Sequence, residues 1–479
     1  MNKTAFLQGA RWRNFTGVCA LGLLSACSLI PAYERPAAPV PAQYPGAPVA
    51  PDASAQAAAA DIPWVDFFKD ARLQRLIALA LVNNRDLRVA ALSIEQTRAQ
   101  WQLRRADELP TVNAGITGSR ATTSAGGVSS TYTAGLNVSP LAAFELDFFG
   151  RLRSLSQAAQ AQWLASQEAR RVVHIALIGS VANTYLSLAA DEALLRVAQA
   201  AVASREDSLR LTQLKFDHQT ASQLDLSQAQ SLLEGAKVAL AQTQRQKAQD
   251  ENALALLIGQ PLPADLPKGL PLSQSGLLAD VPAGLPSDLL TRRPDVRQAE
   301  QQLLANNASI GAARAAFFPR ITLTGSAGVA GNDLSRLFNG GGGAWTFAPQ
   351  ALLPIFDAGR NQANLDAARV GREMAVAQYE KAIQTAFREV ADALAARSTL
   401  DEQLRAQKAQ LSAEETRMAL TELRDRQGLT SALEVLDARR SLLTVQQAAL
   451  QTQAQQLQSR VTLYKVLGGG WTEPAVRKD

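Results

Sequence analysis

The clearest candidates for chemistry in this chain are one acidic and one basic residue, Asp437 and Arg440, which stand three positions apart. On an α-helix this spacing places both side chains on one face, where they can form an ion pair. An exposed pair of this kind contributes little to stability, and from the spacing alone it is the simpler interpretation. If several copies of the chain surrounded an axis, the same residues could instead form a ring of inter-chain ion pairs.

Residues suited to catalysis or to binding a metal, a nucleotide or a nucleic acid are scarce. The two histidines, His174 and His218, fall in tracts predicted to be helical, without a nucleophile and an orienting residue nearby in sequence. The glycine run 340–343 lies between two predicted strands, whereas a phosphate loop precedes a helix. Basic residues are not interleaved with aromatic ones, as in a nucleic-acid-binding patch. We therefore predict no enzyme, no cofactor, no metal and no nucleic-acid partner.

The N-terminus has the composition of a sorting signal. Basic residues up to Arg13 precede the apolar run 15–24, and small residues follow up to Cys27. The four residues that end at Cys27, Leu-Ser-Ala-Cys, resemble a bacterial lipoprotein signal, whose cysteine is lipidated and becomes the mature N-terminus. We predict removal of residues 1–26 and a lipid on Cys27, and Ser28 at the next position favours sorting to the outer membrane. The alternative is an ordinary secretory signal with an incidental cysteine.

Charge and hydropathy exclude further classes. The formal net charge is +5, and the predicted signal contains three of the cations, Lys3, Arg11 and Arg13, so the mature chain would carry +2. Only one cysteine remains after the signal, so no disulfide is predicted. No later apolar run reaches about 18 residues, which predicts no transmembrane helix. Without such a helix, a chain crosses a membrane only as part of a closed β-barrel.

The sequence contains an internal duplication. Shifting the chain by 209 residues aligns its two halves without a gap over roughly 170 residues, far more than the roughly 20–50 residues of a solenoid repeat. Two fused copies of one unit suggest symmetry-related parts around an axis. Matched pairs are Asp86 and Asp295, Arg105 and Arg314, Pro110 and Pro319, Gly150 and Gly359, Ser222 and Ser431, and Gly259 and Gly468.

Two long tracts without proline predict long helices. Proline is absent between Pro140 and Pro261 and again between Pro354 and Pro474, and both tracts are rich in good helix formers. Apolar residues recur every seven positions in each tract, a spacing typical of helices packed side by side with a left-handed supercoil. A helix from about residue 150 to 218 would be roughly 100 Å long.

Each helical tract is interrupted once, near 218–222 and near 427–431, and we predict the tip of a helical hairpin at each interruption. Glycine can adopt a left-handed turn conformation at little cost, and serine can cap the returning helix. The alternative is a kink in one continuous helix. The predicted tip residues are Gln219, Thr220 and Ser222 in the first hairpin and Gly428, Leu429, Thr430 and Ser431 in the second.

Between the first helix of each half and its long tract, the hydrophobic period changes from seven to two. Two strands are predicted in each half, with apolar residues on one face and small polar residues on the other, as suits a water-filled lumen. Four strands cannot close into a barrel, and lipid does not tolerate open edges, so several chains must share one barrel. Two chains would supply eight strands, and three would supply twelve with a passage. The alternative is a soluble four-stranded sheet on a helical stalk.

These features and five sequence segments resemble the TolC-like outer-membrane factor family, specifically its lipoprotein branch that serves RND-type efflux systems, the NodT-type outer-membrane efflux lipoproteins. The similarity extends from Cys27 to Trp471. The segments that resemble the family are 64–68, 145–151, 292–301, 310–319 and 463–471.

The resemblance implies a mixed fold. An outer-membrane β-barrel is completed by a homotrimer with four strands per chain and continues into a long α-helical periplasmic barrel with a mixed equatorial belt. The implied segments are the signal peptide 1–26, a lipid-anchored extended and loosely structured segment 27–63, a first helix 64–109, a first β-hairpin 110–147, a helical hairpin 148–260, a proline-rich connection 261–287, and then 288–318, 319–356 and 357–467 as the second helix, β-hairpin and helical hairpin, followed by the tail 468–479.

The resemblance also implies a function, conduction out of the cell without catalysis. It implies a periplasmic adaptor that docks on the hairpin tips, an inner-membrane RND pump, and a periplasmic gate at Asp437 and Arg440. In the first half the equivalent positions are Gln228 and Ser231, which carry no charge. Three alternatives stay open: a duct for metal-ion efflux, a duct for type I protein secretion, and a non-porous lipid-tethered periplasmic scaffold.

Overall fold

The structure is a computed structural model that describes residues 28–45, 59–122, 128–138, 144–274, 276–278, 289–332, 335 and 342–471. Helices dominate these residues, and five strands form one sheet. In chain order the elements are α1 (Trp64–Phe67), α2 (Ala71–Asn83), α3 (Arg85–Ala106), β1 (Val112–Thr122), β2 (Val128–Val138), β3 (Phe144–Leu146), α4 (Arg151–Asp217), α5 (Gln223–Ile258), α6 (Leu289–Arg292), α7 (Pro294–Ala315), β4 (Arg320–Gly331), β5 (Gly342–Leu352), α8 (Arg360–Arg426) and α9 (Ala432–Val466).

The duplication in the sequence reappears in the helices. Both α4 and α8 have 67 residues, and the 209-residue shift carries the bounds of one onto the bounds of the other. The same shift relates α3 to α7, with 22 residues each. The two breaks in the long tracts fall at 218–222 and 427–431, so each tract forms two helices joined by a five-residue connection. The helical hairpin α4/α5 is called hairpin 1 below, and α8/α9 is called hairpin 2.

The sheet is antiparallel, and two of its strands, β2 and β3, follow one another along the same side of β4. On one side β4 pairs with β5, from Arg320↔Leu352 to Ala330↔Gly342. On its other side β4 pairs first with β3, as in Leu323↔Phe144, and then with β2, as in Gly325↔Val138. Because β2 and β3 share one side of β4, the five strands occupy four positions, with β1 beyond β2. Within the described strands, β1 and β5 are the two edges.

The predicted first helix 64–109 is divided into three helices by two capping residues. The Asp70 carboxylate accepts a hydrogen bond of 2.8 Å from the Arg72 amide and so caps α2. Asn84 has an extended backbone, and its side chain accepts a hydrogen bond of 2.9 Å from the Leu87 amide. Asp and Asn favour such caps because their side-chain oxygens satisfy free helix-terminal N–H groups. In the second half, Pro294 begins α7 after the short helix α6, a position that proline favours.

The N-terminal segment 28–45 has no helix or strand, but it is packed rather than loose. The Glu300 carboxylate of α7 accepts hydrogen bonds from Tyr33 at 2.9 Å and from the Arg35 Nε at 2.8 Å. The Asn307 amide donates to the Pro31 carbonyl at 2.8 Å. The expected loose tether is therefore wrong for these residues, because buried polar groups on α7 hold the segment.

The chain divides into two compact units. One contains the described residues up to Ala37 together with Leu92–Gln167 and Gln298–Lys381, which include the sheet. In this unit the Trp101 and Trp163 rings stack with centroids 5.0 Å apart. The other contains Ala38–Ala91, Glu168–Arg297 and residues from Ala382 onward. In its core the Phe67 and Tyr464 rings stack at 4.0 Å, and the Tyr464 hydroxyl donates to the Ile62 carbonyl at 2.5 Å.

One described helix, α4, contains an 18-residue window with a mean hydropathy of 1.5, half of it buried in the structure. By length and composition alone such a helix could cross a membrane, which the prediction from sequence did not foresee. The buried core helix of a soluble domain has the same composition, so the window by itself does not identify a membrane span.

Candidate functional site: the hairpin tips and the ion pairs behind them

The tip of hairpin 2 is a glycine turn followed by a serine cap. Gly428 has φ 70°, the left-handed conformation that a residue without Cβ adopts at little cost. The Leu429 amide donates to the Arg424 carbonyl at 2.9 Å, which closes the end of α8. The Ser431 hydroxyl accepts a hydrogen bond of 3.2 Å from the Glu434 amide and caps α9. Thr430 donates to the Glu434 carboxylate and lowers the pKa of that group.

The tip of hairpin 1 makes the same reversal with different residues. Gln219 has φ 59°, a conformation that a residue with a side chain adopts only with strain. The Thr220 hydroxyl donates to the Lys215 carbonyl at 2.9 Å. Ser222 and Asp225 form a reciprocal capping box, in which the Ser222 hydroxyl accepts from the Asp225 amide at 3.1 Å. Hydrogen bonds to Ser222 lower the pKa of Asp225.

The predicted pair of Asp437 and Arg440 is present, but it is the weaker half of a larger cluster. Arg417 of α8 donates from Nη2 to the Asp437 Oδ2 at 2.6 Å, and Arg440 donates to Oδ1 at 2.9 Å. Arg417 also forms an ion pair with Glu414 at 3.3 Å. The hydrogen bond from Arg417, more than that from Arg440, holds the pKa of Asp437 below its usual range. Asp437 therefore links the two helices of hairpin 2.

A small apolar cluster lies beside these charges. Met418, Val435 and Ala438 are buried, with Leu442 packed against them. Ala438, which follows Asp437 in sequence, is fully buried. The helices α8 and α9 are therefore close together beside the ion pairs. Because packed interiors tolerate little added volume, this cluster fixes the separation of α8 and α9 at the height of the ion pairs.

A second set of contacts joins hairpin 2 to α4. Arg439 donates from Nη1 to the Ser208 hydroxyl of α4 at 2.9 Å. Its Nη2 lies 3.7 Å from the Glu422 carboxylate of α8. One side chain of α9 therefore contacts both of the other helices. Arg417 and Arg439 were not predicted from the sequence. A signal for Arg417 existed, because Arg417 and Asp437 each stand ten residues from Gln427 in the turn and so face each other across the hairpin.

The two hairpins differ in charge at this level. The 209-residue shift relates Asp437 to Gln228, Arg440 to Ser231 and Arg417 to Ser208, all without charge in hairpin 1. No group of three or more potential metal ligands occurs among the described residues. Cys27, the predicted lipid site, and the predicted signal 1–26 lie outside the described residues.

Comparison with known proteins gives the chain a family. The family described as outer membrane efflux protein matches residues 76–260 and 285–469. The two matched segments differ in position by the same 209 residues as the internal duplication, so each half of the chain matches the family separately.

Several efflux proteins are similar to almost the whole chain. The probable efflux pump outer membrane protein TtgC of Pseudomonas putida is 50% identical over 459 residues, which cover 94% of each chain. The outer membrane protein OprJ of Pseudomonas aeruginosa is 45% identical over 95% of this chain and 96% of its own length.

Solved structures of outer membrane channels share the fold. The open state of the Neisseria gonorrhoeae MtrE outer membrane channel superimposes with a TM-score of 0.84 at 41% identity, over 93% of this chain and 99% of that one. The Campylobacter jejuni CmeC outer membrane channel gives 0.85 at 26% identity, over 93% and 95%. These findings confirm the family resemblance and the fold class, and they agree with a channel rather than an enzyme. The chain belongs to the outer membrane efflux protein family and is an outer-membrane component of an efflux system.

Proposed function

We propose that this chain is the exit duct of a tripartite, RND-type efflux pump, which passively conducts small toxic organic compounds to the exterior and is closed at its periplasmic end by hairpin 2. The observation that carries the proposal is the identity of about half of the residues with TtgC over nearly the full length of both chains. Sequence similarity at this level and coverage supports the same arrangement of parts.

Small organic compounds are the substrate class that the relatives favour. Proteins 50% and 48% identical to this chain are named for toluene, solvent and antibiotic efflux. These names favour drugs and solvents over metal ions and secreted proteins as substrates. The non-porous scaffold is the least supported alternative, because the structures that superimpose on this chain are named as channels.

The assembly we propose is a homotrimer. The described sheet has four strand positions with open edges at β1 and β5. Unpaired backbone groups at a sheet edge are not tolerated in lipid. Three chains would bring twelve strand positions and pair every edge, leaving a lumen wide enough for a passage.

Two attachments complete the proposed system. The first is a lipid on Cys27, which would attach the mature N-terminus to the outer membrane. The segment that follows it is held to α7 by hydrogen bonds from Tyr33 and Arg35 to Glu300. Absence of an acyl group on Cys27 in mass spectrometry of the mature protein would remove the lipid anchor.

The hairpin tips are the proposed docking surface for a periplasmic adaptor, which in turn joins an inner-membrane RND pump. All the predicted tip residues, Gln219, Thr220, Ser222, Gly428, Leu429, Thr430 and Ser431, lie in or next to the turns. Six of them are exposed, and Thr430 is half-buried. Cysteines at Thr220 and Thr430 that never crosslink to a co-expressed adaptor would place docking elsewhere.

The gate is the ion-pair cluster at Asp437, with Arg440 and Arg417. Asp437 receives hydrogen bonds from both helices of hairpin 2, so its loss frees them to separate. Asp437→Ala should raise single-channel conductance in planar bilayers several-fold. Gln228→Ala, the equivalent change in hairpin 1, is the matched control and should leave conductance unchanged.

The transport role has a separate test. The chain would be expressed, together with its adaptor and pump, in a Gram-negative strain that lacks its own outer-membrane efflux protein. We expect restored tolerance of toluene. Failure to restore tolerance, with normal outer-membrane levels of the protein, would contradict the efflux role even if the purified protein conducts.

A further inference from the structure

Arg205 of α4 is a buried cation for which the described residues supply no ion-pair partner. The residue is only 8% exposed. Its Nη1 is buried and has no hydrogen-bond partner in the described part of the chain. Arginine is almost never buried unless it is paired, and an unpaired buried charge has a large desolvation cost. The position is therefore electrostatically unfavourable as it stands.

The group that acts on Arg205 is a second arginine. Burial first, and then the positive charge of Arg439, lower the pKa of the Arg205 guanidinium. Arg439 comes from α9, and its hydrogen-bond acceptor Ser208 stands one turn from Arg205 on the same face of α4. The contact of α9 with α4 thus brings the Arg439 guanidinium to the face of α4 that carries Arg205.

The anions close to these two groups do not neutralise both. Glu422 of α8 lies 3.7 Å from Arg439, and Ser208 is neutral. On α4 itself, Asp207 pairs with Arg210 at 3.0 Å, on the exposed side of the helix. Among the described residues, Arg439 thus has one carboxylate at the edge of ion-pair distance, and Arg205, the more buried of the two cations, has no ion-pair partner.

We infer that Arg205 is a positioning residue that weakens the closed arrangement of hairpin 2. Its unpaired charge opposes the contact between α4 and α9, and separation of these helices would hydrate Arg205 and move it away from Arg439. The inference rests on the proposed gate and adds an opposing force to it: the pairs at Asp437 hold the helices together, and Arg205 favours their separation.

Such an opposing pair has a functional consequence. A docking partner can shift a two-state equilibrium only by the difference in its affinity for the two states. When the closed state is only slightly favoured, a smaller difference is sufficient to open it. Arg205 would thus set how much binding free energy an adaptor and pump must supply.

The duplication supports a role specific to this contact. The counterpart of Arg205 in hairpin 2 is Glu414, which is paired with Arg417 at 3.3 Å. The counterpart of Arg439 in hairpin 1 is Gln230. Arg205, whose Nη1 has no partner among the described residues, therefore shares the contact between α4 and α9 with a second cation, at the level of the proposed gate.

The test uses the full-length protein in planar bilayers, in the wild-type background and in the Asp437→Ala background, where closure is already weakened. Arg205→Met removes the charge and keeps the length of the side chain. Arg205→Glu adds a partner for Arg439, and Arg205→Lys keeps the charge. The matched control is Arg210→Met, which removes a cation from the exposed side of α4.

We expect Arg205→Glu to lower the conductance of the Asp437→Ala protein at least about twofold, with a smaller decrease for Arg205→Met. Arg205→Lys and Arg210→Met should leave it unchanged. Conductance that is unchanged or higher in both Arg205→Met and Arg205→Glu would overturn the inference. So would an equal decrease in Arg205→Lys, because packing and not charge would then be responsible.

Failure of the proposed gate gives a different pattern. If Asp437→Ala alone conducts as the wild type does, the gate is wrong, and the Arg205 variants are then compared in the wild-type background. Fewer open events in Arg205→Glu than in Arg205→Lys would still support an opening force at α4 and α9. Equal numbers of open events would remove it together with the gate.

Discussion

The two helical hairpins have almost the same length and equivalent turn positions, but only hairpin 2 has charged residues at the three positions behind its tip. Hairpin 2 joins its helices through Asp437, which accepts hydrogen bonds from Arg417 and Arg440. Hairpin 1 has neutral residues at all three equivalent positions. The shared bounds show that the two duplicated halves form the same pair of helices. The difference in charge indicates which hairpin is specialised, and we assign the gate to hairpin 2 on that ground.

The largest effect on stability is expected from overpacking hairpin 2. Ala438 is fully buried in the cluster beside the ion pairs, whereas its counterpart Ala229 is only partly buried. Ala438→Leu should destabilise the protein by about 1–3 kcal/mol, because added methylenes force the helices apart. Thermal unfolding followed by circular dichroism measures the change, and Ala229→Leu is the control. Equal destabilisation by both changes would contradict the tighter packing of hairpin 2.

A smaller effect is expected at the two turns, with opposite signs. Gly428 and Gln219 both have positive φ, but only glycine adopts it without strain. Gly428→Val should destabilise the tip of hairpin 2 by roughly 1–2 kcal/mol, whereas Gln219→Gly should relieve strain at the tip of hairpin 1. Limited proteolysis at the tips reports both changes. Faster cleavage of the Gln219→Gly tip than of the wild-type tip would show that no strain is stored there.

The smallest effect concerns a carboxyl pair that only hairpin 1 contains. Asp191 of α4 and Asp250 of α5 each have a buried oxygen without a donor among the described residues. Burial first, and then the charge of Asp250, raise the pKa of Asp191 to about 6. The carboxylates next to this pair in sequence have cationic partners of their own: Glu192 pairs with Arg72 and Glu251 with Lys247. In hairpin 2 the equivalents are Leu400 and Ser459, without charge.

The sign of the pH dependence follows from the raised pKa. The folded state holds the Asp191 proton more tightly than the unfolded state, so this group favours folding at low pH. That contribution is lost as the pH rises from about 4 to about 6. Asp191→Asn should therefore melt close to the wild type at pH 4 and at a higher temperature than the wild type at pH 7. A constant difference across this range would contradict a raised pKa of Asp191 in the folded protein.

The local parts of the fold were predictable, and the contacts between distant segments were not. The proline-free tracts, the sevenfold spacing and the serine caps indicate α4, α5, α8 and α9, because helix formation depends on near neighbours. The separate strand β3 was not predicted, since its formation depends on pairing with β4 beside β2. The packing of segment 28–45 was missed for the same reason, because Glu300 lies far away in sequence.

The candidate site was predicted in part. Spacing identified Asp437 and Arg440, since residues three apart share a helix face. Arg417 became visible only when α8 and α9 were paired, and Arg439 and Arg205 only when α9 was placed against α4. A periodic sequence indicates which face of a helix is buried, but it does not indicate which of several helices that face meets.

The central claim is that Asp437 closes the channel through the helix-to-helix contact with Arg417. A double-mutant cycle of conductance in planar bilayers tests it most directly, with Arg417→Ala, Asp437→Ala and both changes together. The account predicts that each single change raises conductance several-fold and that the double variant conducts no more than the higher single one. Conductance increases that multiply in the double variant, or an Arg417→Ala protein as closed as the wild type, would contradict it.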